Sequence, residues 1–105
     1  MSITKETRRM SYNNVLKNLG TRQSQVFTEL LCYHQGMTAS ELANEMNKIG
    51  FFRTSDRNNV HPRLNEMVEM EIVEIIGKRQ CSITNKTVAV YKVKSDVLQV
   101  ITEVL

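Results

Sequence analysis

The feature that most constrains this chain is a change of hydrophobic period near Met70. Before it, apolar residues recur at helical spacing in four separate stretches; after it, two segments alternate residue by residue. Helices followed by a single alternating pair define an α+β domain. They exclude a parallel α/β sheet, which needs strands interleaved with helices. The length of 105 residues fits one domain, 1–105, with a core over about 11–94 and a last helix over 95–105.

The helical stretches carry their own punctuation. Tyr12, Val15, Leu16 and Leu19 form an i, i+3, i+4, i+7 stripe. Ser11 is the expected cap, Met10 with Val15 the staple, and Gly20 the stop. Thr21 is placed to cap a second helix whose stripe Val26, Phe27, Leu30, Leu31 and His34 runs to Gly36, which puts His34 on or near the core. Thr38-Ala39-Ser40-Glu41 is a T-x-x-E capping box and starts a third helix that turns Leu42, Ala43 and Met46 inward. After an ordered turn over 51–56, in which both phenylalanines have somewhere to pack, Val60, Leu64, Met67 and Val68 give a fourth helix. A start near Asn58 or Asn59, with one of them as cap, leaves Pro62 in the first turn, where its missing N–H costs nothing, whereas a start at Ser55 would have Pro62 bend the helix. Ile72–Ile76 and Thr87–Lys94 then read as the strands of a long hairpin, with Asn85 the residue expected at positive φ. Ser95-Asp96 caps a final helix with Val97, Leu98, Ile101, Val104 and Leu105 on one side. That stripe packs either on the first helix or on a second copy of the chain, so a homodimer is one expectation.

Charge is arranged in blocks. The net +3 is only mildly basic, but residues 53–65 carry a net +2, residues 66–76 a net −4, and residues 77–94 a net +5 with no acid among them. The order of elements is that of a winged helix-turn-helix: three core helices plus a β-hairpin wing, with additional short N- and C-terminal helices. In that arrangement the two basic blocks fall on the recognition helix and the wing, the surfaces that meet duplex DNA, and the acidic block faces away.

The runs Leu19-Gly20-Thr21-Arg22-Gln23, Met37-Thr38-Ala39-Ser40-Glu41-Leu42-Ala43, Asn59-Val60-His61-Pro62-Arg63-Leu64-Asn65-Glu66-Met67 and Gly77-Lys78-Arg79-Gln80-Cys81-Ser82-Ile83-Thr84 resemble small winged-helix proteins encoded by bacteriophages and prophages. The resemblance spans roughly residues 11–93. It implies a winged-helix fold and DNA binding, but no particular operator or pathway. Two departures stand out: the turn over 47–54 is longer than a minimal helix-turn-helix turn, and Asn85 stands where related wings favour Gly.

The expected function is sequence-specific binding of double-stranded DNA by a transcriptional regulator. Arginine pairs with guanine edges and asparagine with adenine, whereas lysine serves phosphate. The residues expected to contact DNA are Ser55, Arg57, Asn58, Asn59, His61 and Arg63 on the recognition segment, with Lys78, Arg79, Asn85 and Lys86 on the wing. Arg63 paired with Glu66 on the surface is the competing reading for that residue. The rival function is a winged helix that binds protein, as an adaptor or inhibitor.

Enzymatic activity is not expected. His34 and His61 are the only histidines, and neither they nor Cys32 and Cys81 have catalytic or metal-ligand spacing. No cofactor and no metal are expected, and both cysteines read as reduced thiols. With no apolar run near the 18 to 20 residues of a membrane span, and no signal-peptide core after Lys5, Arg8 and Arg9, the expectation is a cytoplasmic protein without a membrane partner.

Overall fold

Helix starts and the apolar stripes set the order of elements. The computed structural model of the chain describes residues 5–104, and side chains over 10–102. Helix α1 covers Lys5–Lys17, α2 Thr21–Leu30, α3 Ala39–Lys48 and α4 His61–Glu69, the last preceded by a 3₁₀ turn over Arg57–Asn59. Strands β1 (Val73–Gln80) and β2 (Thr87–Val93) form a two-stranded antiparallel hairpin, and α5 covers Ser95–Val104. Five helices and a hairpin make an α+β domain compatible with a winged helix.

The core is built where the stripes converge. Val26, Phe27 and Leu30 of α2, Leu42 and Met46 of α3, and Leu64 and Met67 of α4 are buried together, with Val60, Ile72, Val73, Tyr91, Val93 and Val97 closing the cluster. Only the base of the hairpin belongs to this core. Val73 is buried and Glu74 half-buried, but β1 is exposed from Ile75 to Gln80. Helix α1 packs against α5, and Tyr12, Val15, Leu16, Leu98 and Ile101 lie partly buried against the core. The expected places of Val104 and Leu105 on the α5 stripe lie outside the described side chains.

Several boundaries differ from expectation, each for a local reason. Helix α1 begins six residues before Tyr12's expected cap, so Ser11 lies inside it, and Met10 is 66% exposed rather than stapled to Val15. Nothing in residues 5–10 breaks a helix. Gly20, not Thr21, is the cap of α2, and the Gln23 side chain accepts from the Gly20 N–H at 2.9 Å. At the other end α2 stops at Leu30 instead of running toward Gly36, and His34 is exposed outside the helix.

The cause of that early stop is tertiary. Met37 pairs with the middle of β2, exchanging N–H···O bonds of 2.9 and 2.8 Å with Tyr91, and the chain must leave the helix to reach it. Gly36 makes the approach possible. Its φ is +88°, and a Cβ there would lie 2.8 Å from Val90 Cγ1 and 2.9 Å from the Tyr91 carbonyl oxygen.

Helix α3 starts as the capping box requires, with Thr38 Oγ1 accepting from the Glu41 N–H at 3.2 Å and Glu41 Oε1 accepting from the Thr38 N–H at 3.3 Å. In the turn that follows, Phe52 is buried but Phe51 is 47% exposed. The entry to α4 is a correction: Asp56 caps the 3₁₀ turn, accepting from the Asn58 N–H at 2.9 Å, and neither Asn58 nor Asn59 caps α4. Pro62 sits in the first turn of α4, where its lack of a donor is harmless. Strand β1 runs past Ile76 to Gln80, with a bulge between Ile75 and Gly77, and Asn85 takes φ +62° in the turn.

Candidate nucleic-acid interface

Three segments meet on one side of the domain: the first turn of α3, the 3₁₀ turn leading into α4, and the outer half of the hairpin. Between them lies a cleft of about 330 Å³ lined by Ala39, Ser40, Arg57, His61, Lys78, Thr84, Lys86, Thr87, Val88, Ala89 and Tyr91. Its lining has three cations and a histidine but no carboxylate. Among the described residues none of Arg57, Lys78 and Lys86 makes an ion pair, so their charges are turned to whatever enters. The first turn of α3 adds backbone N–H groups at the positive end of the helix.

Each cation is delivered by a different device. Arg57 opens the 3₁₀ turn that Asp56 caps. Lys78 follows the bulge in β1, and Lys86 closes the tight turn in which Cys81 N–H donates to the Lys86 carbonyl at 2.8 Å. His61 is the first residue of α4, half-buried, with its ring edge-on to Tyr91 at 6.4 Å between centroids. Burial, helped by the Arg57 charge, lowers its pKa below the ordinary 6.5. Tyr91, absent from the sequence expectation, ties the sides together: its hydroxyl donates to Asn65 Oδ1 at 3.0 Å, and Asn65 Nδ2 lies 3.4 Å from His61 Nε2.

The cleft gathers four of the ten expected contact residues. The other six lie outside its lining, and each has its own surroundings. Ser55 and Asn58 are exposed in the approach to α4, and Asn59 Nδ2 donates to the carbonyl and hydroxyl of Thr54, both at 3.2 Å. Arg63 pairs with Glu66 at 3.2 Å, the competing reading for that residue, and Glu66 also accepts from Gln23. Asn85 serves the turn, its carbonyl accepting from Gln80 Nε2 at 3.2 Å. Arg79 is held by Glu41, both guanidinium ends lying 2.6 Å from its carboxylate, so its charge is neutralised although it belongs to the basic block.

Glu41 is the residue that sequence reasoning placed only as a capping partner. Besides Arg79, its carboxylate accepts from the Ser82 N–H at 3.0 Å and the Ser82 hydroxyl at 2.9 Å. The Arg79 hydrogen bonds, opposed by burial and reinforced by the N–H groups of Ser82 and Thr38, lower its pKa from 4.5 to about 2. A folded value below the unfolded one stabilises the fold fully above about pH 4.5, and the gain disappears as the pH falls toward 2. Glu41→Gln is therefore expected to be less stable than the wild type at pH 7, by on the order of 3 kcal/mol. Urea midpoints should show that gap closing between pH 5 and 2, and a gap independent of pH would contradict the assignment.

Among the described residues no three His, Cys, Asp or Glu side chains converge as a metal site, and no helix is long and apolar enough to cross a membrane. Both cysteines are free thiols, Cys32 exposed and Cys81 buried. Comparison with protein-family models, with curated proteins and with solved structures finds no match for this chain.

Proposed function

We propose that the chain is a winged helix-turn-helix protein that binds double-stranded DNA and regulates transcription in the cytoplasm, of the kind that phages and prophages encode. The observation that carries this reading is the cleft between the start of α3, the turn before α4 and the hairpin. Arg57, Lys78 and Lys86 come to it from two separate segments, and its lining holds no acid to oppose them. In this reading α4 is the recognition helix and the hairpin the wing, with Arg57 placed to reach a base edge and the two lysines to hold phosphate. The resemblance of residues 11–93 to small phage winged-helix proteins supports the same assignment.

Titration with a mixed-sequence duplex tests it. If the two lysines each neutralise one phosphate, affinity should fall about twelvefold between 50 and 200 mM salt, because each contact contributes roughly 0.9 to the logarithmic slope. No detectable binding at the lower salt would overturn the proposal.

A further inference from the structure

Glu41 is 7% exposed and accepts five hydrogen bonds, an unusual load for one carboxylate. Four of the five come from the hairpin: two from Arg79 and two from Ser82. Beside it, the fully buried Cys81 places Sγ 3.1 Å from the Thr38 hydroxyl. The two residues that start α3 thus also hold the end of the hairpin. Along β1, which is exposed from Ile75 to Gln80, these are the contacts that hold the hairpin, while β2 is also held by the Met37–Tyr91 bridge.

We infer that Glu41 is a positioning residue for the cleft. By fixing Arg79 and Ser82 on the first turn of α3, it sets how far the hairpin stands from Arg57 and where Lys78 and Lys86 point. Successive side chains of a strand face opposite ways, so anchoring Arg79 toward α3 commits Lys78 to the other side. A hairpin without this anchor has to lose its freedom on binding, which weakens association without removing any direct contact. The inference rests on the reading of the cleft as a DNA interface.

The sign of the effect separates positioning from simple charge. Glu41→Gln removes a negative charge near the cleft and releases Arg79, so Coulomb attraction alone predicts tighter binding and a steeper salt dependence. Positioning predicts weaker binding with no increase in slope. Glutamine still completes a capping box, so α3 retains its start. The expected result for Glu41→Gln is about tenfold weaker binding to a mixed-sequence duplex, with a salt slope no steeper than that of the wild type. Without DNA, amides over 78–88 should exchange at least about tenfold faster, and those of α4 should speed up only by the factor that the global loss of stability sets.

Arg79→Lys gives the second arm, on a side chain that is 43% exposed and tolerates replacement even if Glu41→Gln does not fold. It conserves charge but loses the two-pronged grip. It should weaken binding in the same direction. Tighter binding with a steeper slope in Glu41→Gln, or Arg79→Lys within about twofold of wild type in both affinity and exchange, would overturn the inference. If the wild type itself bound no duplex, the DNA reading would fall, and hairpin exchange in the two variants would still decide whether Glu41 positions the hairpin.

Discussion

Replacing Lys78 and Lys86 together with alanine is expected to weaken binding to every duplex alike, by about thirtyfold near 0.15 M salt and about two-hundredfold near 0.05 M. The estimate follows from releasing two fewer counterions, each worth roughly 0.9 in the slope of log affinity against log salt. Both lysines line the cleft and neither is paired within the described residues, so the loss is not offset by freeing a partner acid. Both are exposed on the outer hairpin, and stability should change by less than about 0.5 kcal/mol. Arg57→Ala differs in kind. If Arg57 makes a paired contact to a guanine, its loss relaxes base preference by about 1 to 3 kcal/mol at one position. Fluorescence anisotropy with two unrelated duplexes distinguishes the variants; equal losses for both variants on both duplexes would reject that division of roles.

The largest effect on stability is expected at Gly36. Alanine there must adopt φ near +88° and place its methyl within 3 Å of Val90 Cγ1 and of the Tyr91 carbonyl oxygen. Strained backbone costs about 1 to 3 kcal/mol and overpacking a similar amount. Relief by moving residues 36–37 outward is blocked, because it breaks both hydrogen bonds between Met37 and Tyr91. Gly36→Ala should therefore lose about 3 kcal/mol or more, a fall in melting temperature of roughly 12 to 20 °C for a domain of this size. The hairpin should loosen with it, since Met37 is the only residue outside the two strands that bridges to β2 among the described residues. A loss below about 1 kcal/mol in chemical unfolding would mean that the bridge does not hold the segment in place.

The same bridge explains what was legible from sequence and what was not. Some local signals read correctly, although the caps expected at Ser11, at Thr21 and at Asn58 or Asn59 did not. The Thr38–Glu41 capping box, the core stripe of α3, Pro62 in a first turn and positive φ at Asn85 all depend on neighbours within a few residues. The end of α2 is not set locally: the pull on Met37 comes from Tyr91, far along the chain, and no helix-period pattern reports it. His34 keeps helical spacing yet lies outside the helix for the same reason.

The candidate site shows the limit more sharply. Charge counted in blocks treats Lys78 and Arg79 as equals, but the first lines the cleft and the second is neutralised by Glu41. Strand alternation separates them, and that phase was hidden because the reading ended β1 at Ile76, before the bulge. The acidic partner lies 38 residues away, with no spacing rule to announce it. Tyr91 likewise reads as an ordinary strand aromatic until the fold brings its hydroxyl to Asn65.

A duplex titration followed amide by amide at low salt decides whether the cleft is where DNA binds. Shifts are expected to concentrate at Ala39 and Ser40, at Arg57 and His61, and along the hairpin near Lys78 and Lys86, the three segments that enclose the cleft. Shifts confined to α1, to α5 or to the acidic stretch 66–76, with these segments silent, would contradict it.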